Sequence, residues 1–377
     1  MFRDVQITVN RTSWPADQTP PPPLLNLAGW TQISVLHTLI HTALWTRPPV
    51  IQGFHLSDYW AWLRYGPALA CTTDLRLCPE WKDVDPHQKT LLSDEFGVGA
   101  TTSLLAVGLN CREFVDALYV LRTLMPGQFT LRRASKHGPS KSPDYIGTDD
   151  RDRFIILECK GTQSSRRSLV DAIARGIPQK QNLRSRRGTQ IYLSLVGGLF
   201  IPQSNSSETA LIHFADPWWE EIMSVFERFK PGAVKVAVMQ IHLAKLFALS
   251  GMPRTAEALA NTPLPKLRQL PTEAIDELRS NEDSLETERI IFDTLYSDEL
   301  MSIPRARFSI TLPKGLIAEL VESNDLPKTI LRLTKETPNQ HWVHALQRSV
   351  ASVTSPYGYK VSLIYGNNQA PNKASQL

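Results

Sequence analysis

Hydrophobic positions change their period several times along this chain, and each change predicts an element. Over residues 29–45 the apolar side chains Ile33, Leu36, Leu39, Ile40, Ala43 and Leu44 recur every three to four positions, which predicts an amphipathic helix. Residues 93–109 read as a capped helix start followed by small and apolar residues, and the same pattern continues helically through residues 111–124. A turn at Met125–Gly127 leads to a short alternating stretch, residues 129–134, with Phe129 and Leu131 on one side. A polar loop then reaches residues 143–147, an acidic turn occupies 148–153, and Phe154, Ile155, Ile156 and Leu157 follow without interruption. Such an unbroken apolar run marks a strand covered on both faces. A helical pattern at 168–174, strand patterns at 191–196 and 210–215 and an aromatic-rich helix from Pro217 complete the series. This order predicts an α/β fold with a mixed central sheet flanked by helices.

The same pass divides the chain. Residues 1–90 read as a mostly helical region with a Pro-rich arm at Pro15 and Pro20–Pro23, where each ring fixes φ and removes a donor. Residues 91–250 form the α/β domain, residues 251–285 a Pro-punctuated connector with an acidic helix, and residues 286–377 a C-terminal α/β region. The most apolar stretch, residues 236–249, is interrupted by Gln240, His242 and Lys245, so no membrane contact is expected. Four cysteines without a CxxC pair suit a reducing compartment, and the expected location is the cytoplasm. At 377 residues with 42% hydrophobic and 21% charged, the composition excludes disorder and small disulfide scaffolds.

Charge is uneven. The formal total is only +4, but residues 122–187 hold fifteen Lys or Arg against six Asp or Glu, a net of +9 that leaves −5 elsewhere. A basic segment of this kind suits a polyanion, since phosphate contacts supply most sequence-independent affinity. Inside it stand Asp144, in PDYIG, and Glu158 and Lys160, in FIILECKG. Alternation on a strand projects Glu158 and Lys160 from one face and turns Cys159 to the other. The thirteen residues that precede Glu158 back to Asp144 allow a hairpin that sets the two carboxylates side by side. Two oxygen ligands of this kind suit Mg²⁺, with Mn²⁺ as a substitute, and a nearby ammonium can orient or help deprotonate an attacking water.

Other patterns are set aside. Gly97 and Gly99 lack the Lys and preceding strand of a phosphate loop. His37 and His41 share a helix face, but no Glu follows the first and no third ligand stands nearby, so they are expected to be ordinary helix-surface or core histidines. Asp149, Asp150 and Asp152 are expected to build the turn. Glu80 and Lys82 repeat the E-x-K spacing without an apolar run or an upstream PD, and Pro79 argues against a central strand there.

Residues 143–160 resemble the PD-(D/E)XK motif of the restriction-endonuclease-like nuclease superfamily, with Asp144 matching its metal-binding Asp and Glu158 and Lys160 its E-x-K. The resemblance spans roughly residues 91–216 and implies a restriction-endonuclease-like core and a Mg²⁺-dependent nuclease acting on DNA, duplex in preference to single-stranded, with RNA as the lesser alternative. It further implies a defence, restriction or repair setting, and a helix ahead of the motif that adds an acidic ligand, here Glu95. A helix after the E-x-K strand would bring polar residues to DNA, here Gln179, Lys180 and Gln181, with Lys141 and Arg184 in the basic segment. A homodimer or a protein partner fits the two-fold symmetry of a duplex. The rival expectation is a subunit that keeps this fold and scaffolds a nucleic-acid complex without catalysis.

Overall fold

The computed structural model describes residues 2–14, 19–46, 65–66, 68–70, 72–125, 143–176, 191–216, 231–263, 266–282, 286–287, 306–336, 342–347 and 350–365. Among these, seven strands form one mixed sheet in the order β2-β1-β7-β6-β5-β4-β3: β1 (Phe2–Val9), β2 (Gly29–Ser34), β3 (Glu113–Asp116), β4 (Tyr145–Thr148), β5 (Phe154–Thr162), β6 (Ile191–Phe200) and β7 (Leu211–Ala215). The pairs β1–β7 and β5–β6 are parallel and the other neighbours antiparallel. The expected α/β fold with a mixed central sheet is observed.

Helices cover both faces. Helix α1 (Val35–Trp45) packs on α2 (Pro86–Gly108), and α2 lies on the sheet, where Thr101 Oγ1 stands 3.2 Å from Cys159 Sγ. On the opposite face, α3 (Arg166–Gly176) lies over β6, with Leu169 and Ile173 filling the space above Gly198. Beyond them come α4 (Pro231–Leu249), α5 (Pro253–Asn261) and α6 (Thr272–Glu282). Helix α4 is long and apolar enough to cross a membrane, but its residues are mostly buried inside the protein. The C-terminal region folds as α7 (Lys314–Val321), α8 (Leu326–Glu336) and a five-stranded antiparallel sheet, β10-β11-β12-β9-β8. Its strands are β8 (Glu286–Thr287), β9 (Ala306–Thr311), β10 (Val343–Gln347), β11 (Val350–Thr354) and β12 (Lys360–Tyr365).

Several expectations need correction. Residues 1–90 are not a separate helical region, because β1 and β2 join the sheet of the α/β domain. The helix expected over 29–45 starts only at Val35, where the Ser34 hydroxyl caps it by accepting from the His37 amide. The preceding residues pair with β1 from Phe2↔Ser34 to Ile7↔Gly29. Pro22 opens a helical turn, Pro22–Leu25, instead of continuing an extended arm, as a ring at the first helical position allows. The long helix starts at Pro86 under an Asp85 cap and stops at Gly108; Asn110, at φ 54°, turns the chain into β3, so residues 111–116 are not helical. The strand expected at 129–134 and the helix expected from Pro217 lie outside the described residues. Glu80 and Lys82 sit in a 3₁₀ turn, Pro79–Asp83, as the Pro implied.

Where α1, α4 and the C-terminal region meet, the core is aromatic and imidazole-rich. His37 and His41 pack on Trp342 at 5.2 and 4.8 Å between ring centroids, and the Trp45 indole donates to His41 Nδ1 at 3.1 Å. They are core histidines. His242 lies between Trp45 and Tyr357, at 5.4 and 5.3 Å. Burial holds its imidazole neutral, pushed down to about 3 from 6.5. The unfolded chain therefore takes up a proton near pH 6.5 that the folded chain refuses. Stability should fall as pH drops from about 6.5 toward 3, by about 1.4 kcal/mol per unit for this residue. Lys245, lowered by burial to about 7, is charged in both states for most of that window and adds little slope. Asp216, raised by burial to about 7, contributes in the opposite sense over the same window, so the test is the difference: urea unfolding between pH 6.5 and 5 should give His242→Phe a slope lower than that of the natural protein by about this amount. Identical slopes would remove His242 as its source.

Candidate functional site

The hairpin β4–β5 brings the motif together. Tyr145 pairs with Leu157, so the next position outward sets Asp144 level with Glu158. Strand β5 is anchored by Phe154, Ile155, Ile156 and Leu157, all at most 3% exposed, each side chain contributing about 1.5–3 kcal/mol on burial. That anchorage fixes the charged residues at its far end. The turn between the strands is built by Asp149, whose Oδ1 accepts from the amides of Arg151 at 3.0 Å and Arg153 at 2.8 Å while Oδ2 takes the Arg153 guanidinium. Asp150 accepts from Asn110, and Asp152, at φ 61°, pairs with Lys235. The three turn acids thus act as expected.

Asp144 Oδ2 accepts from the Cys159 amide at 2.9 Å, so the carboxylate is pinned to the middle of the E-x-K triplet. On the same face Lys160 Nζ donates to Glu158 Oε1 at 2.6 Å, with the two side chains 33% and 16% exposed. Desolvation works against the Lys160 ammonium, but the hydrogen bond and charge of Glu158 and the charge of Asp144 outweigh it and raise its pKa above the ordinary value. In this arrangement Lys160 is a held cation and not a proton acceptor. Cys159 faces α2 as alternation required, and burial first, then Asp144, push its thiol well above the usual range. It is inert packing.

The helix ahead of the motif approaches to backbone contact. A Cβ on Gly97 would strike the Lys160 carbonyl, and one on Gly161 would strike that of Ser93 and lie 3.0 Å from the Asp94 nitrogen. The two glycines set aside as a phosphate loop include the one that lets α2 touch β5. Gly99 serves the other face of α2, against the Thr38 carbonyl and the Thr42 side chain.

This contact delivers two carboxylates. Glu95 accepts from the Tyr65 hydroxyl and lies on the side of Tyr145, whose phenol burial, Cys159, Asp144 and Glu95 together raise. Asp94 stands at the surface where helix meets strand; partial desolvation raises its carboxyl and the Lys160 ammonium opposes the rise. Nothing in the spacing along the chain singles out Asp94; the Gly97 and Gly161 pair, which lets helix and strand meet beside Lys160, is the feature that brings it there. Lys141, Gln179, Lys180, Gln181 and Arg184 lie outside the described residues.

Among the described residues, no three His, Cys, Asp or Glu side chains converge to hold a metal. The donor chemistry still fits Mg²⁺, which binds through one or two carboxylates and leaves its other positions to water and substrate phosphate. Compared with protein-family models, with curated proteins and with solved structures, the chain matches none, and the site stands on its own geometry.

Proposed function

We propose that the protein is a Mg²⁺-dependent nuclease that hydrolyses DNA phosphodiester bonds on a restriction-endonuclease-like core. The observation that carries this reading is Asp144 level with Glu158, with Lys160 two positions on along the same face of the strand, the arrangement that the PD-(D/E)XK resemblance requires. The mixed sheet with helices on both faces is compatible with that core.

Asp144 and Glu158 would hold the ion, with Asp94 or Glu95 of the adjoining helix near enough to add charge. When bound there, Mg²⁺ supplies stabilisation of charge on the phosphate and lowers the pKa of water. Lys160 contributes a fixed positive charge. Its ammonium orients the attacking water toward phosphorus and stabilises the extra negative charge as the new P–O bond forms and the bond to the leaving sugar oxygen breaks. The Cys159 amide keeps the Asp144 carboxylate in one orientation while this happens.

A second reading, a non-catalytic nuclease-fold subunit, draws on the Glu158–Lys160 ion pair and on the bond between Glu95 and Tyr65, which engage two of the expected ligands within the protein. Incubation of the purified protein with plasmid, linear duplex, single-stranded DNA and RNA, in Mg²⁺, Mn²⁺ or chelator, separates the two. Metal-dependent cutting of duplex that chelator abolishes is expected. Binding without cutting under every condition would favour the subunit.

A further inference from the structure

Glu113 is a buried carboxylate outside the motif, and both its oxygens are occupied. It sits on β3, the four-residue strand at the edge of the large sheet, and is 1% exposed. Burying a carboxylate is costly unless strong hydrogen bonds compensate, so the residue's presence demands a reason. Oε1 accepts from the Thr148 hydroxyl and Oε2 from the Tyr357 hydroxyl at 2.9 Å. Thr148 is the cross-strand partner of Glu113 on β4. Tyr357 lies between β11 and β12 of the C-terminal sheet.

The neighbouring residue is gripped from the same side. The Trp342 indole donates to the Arg112 carbonyl at 3.2 Å, and the Arg112 guanidinium donates to the Thr334 carbonyl at 2.8 Å. Residues from α8, from the approach to β10 and from the β11–β12 turn thus converge on Arg112 and Glu113. At the far end of β3, Asp116 pairs with Tyr145 and the Ala117 amide donates to the Asp144 carbonyl at 3.1 Å. The short strand is held by the C-terminal region at one end and holds Asp144 at the other.

We propose that Glu113 is a positioning residue for Asp144, and that the C-terminal region sets the position of that carboxylate through Tyr357. The proposal rests on reading Asp144 as part of the site. It gives the C-terminal sheet a role in controlling the site: whatever displaces that sheet loosens β3, and with it β4, the strand that follows Asp144. A short strand with one pairing neighbour among the described residues has little of its own to resist this. Directional bonds to a carboxylate transmit a displacement that apolar packing at the same place would absorb.

Amide hydrogen exchange reads the relay directly, because the Ala117 and Cys159 amides bond to the Asp144 carbonyl and carboxylate respectively. In Tyr357→Phe both should exchange about tenfold faster, while amides of β6 and β7 keep their natural rates. Thr148→Val, which removes the other hydroxyl at nearly constant shape, should give the same local change and serves if Tyr357→Phe does not fold. The double variant should add less than the sum of the two. In the cleavage assay each single variant should lower kcat about tenfold with DNA binding unchanged. Unaltered rates at Ala117 and Cys159 would overturn the proposal, and so would a uniform acceleration across the sheet, which a merely structural contact would produce. If the natural protein does not cut DNA, the nuclease reading fails while the exchange rates still decide the relay.

Discussion

On the proposed nuclease reading, Lys160→Met should leave the protein folded and able to bind DNA but lower metal-dependent cleavage by about 10³-fold or more, the scale on which removing one preorganised charge from a transition state is felt. Stability should hardly change, because the Lys160–Glu158 pair is part-exposed and such pairs contribute little. Arg at this position should not rescue, since a broad planar fork does not replace a compact ammonium held at 2.6 Å from one carboxylate oxygen. Asp144→Asn should fail equally while keeping the fold, because an amide oxygen can still accept from the Cys159 amide and only the charge is lost. Single-turnover cleavage of a duplex, with binding measured separately in chelator, checks both. A Lys160→Met protein that cuts at the natural rate would take the chemistry away from this strand.

How much of this was legible depended on whether the deciding contacts were local. The run Phe154 to Leu157 and the alternation through Glu158, Cys159 and Lys160 are local, and the strand, its faces and the hairpin back to Asp144 follow from them. Strand β1 was missed although Val5, Ile7 and Val9 alternate with polar residues, because its partners are β2 and β7, the second about two hundred residues away. Nothing near residue 5 announces a parallel pair with Leu211 to Phe214. Ile33 extended the helical spacing backward into β2 because one apolar residue satisfies both periods; the Ser34 cap was the better sign. Glu113 was invisible as a functional residue, since its meaning lies in Tyr357, 244 residues on. Among the helix acids, Glu95 matched the expected spacing, while the placement of Asp94 depends on how two glycines let backbones meet.

Those glycines carry the second large effect. Gly161→Ala should cost about 3 kcal/mol or more, the upper range for overpacking, because the added carbon meets the Ser93 carbonyl group and the Asp94 nitrogen, main-chain atoms that no rotamer change can move aside. Gly97→Ala should act alike, striking the Lys160 carbonyl and lying 3.1 Å from the Gly161 nitrogen. The same substitution at Gly232, near the start of α4, meets nothing within 4 Å and should leave stability unchanged or raise it by up to about 1 kcal/mol, since Ala is the better helix former. Thermal unfolding of the three variants separates crowding from the general effect of losing a glycine. An equal response at all three positions would deny that α2 and β5 touch. If they do touch, the remaining folded fraction of Gly161→Ala should also cut more slowly than its population accounts for. The displaced helix carries Asp94 and Glu95, and the displaced strand carries Glu158 and Lys160, so the clash opens the site along the seam where its charges meet.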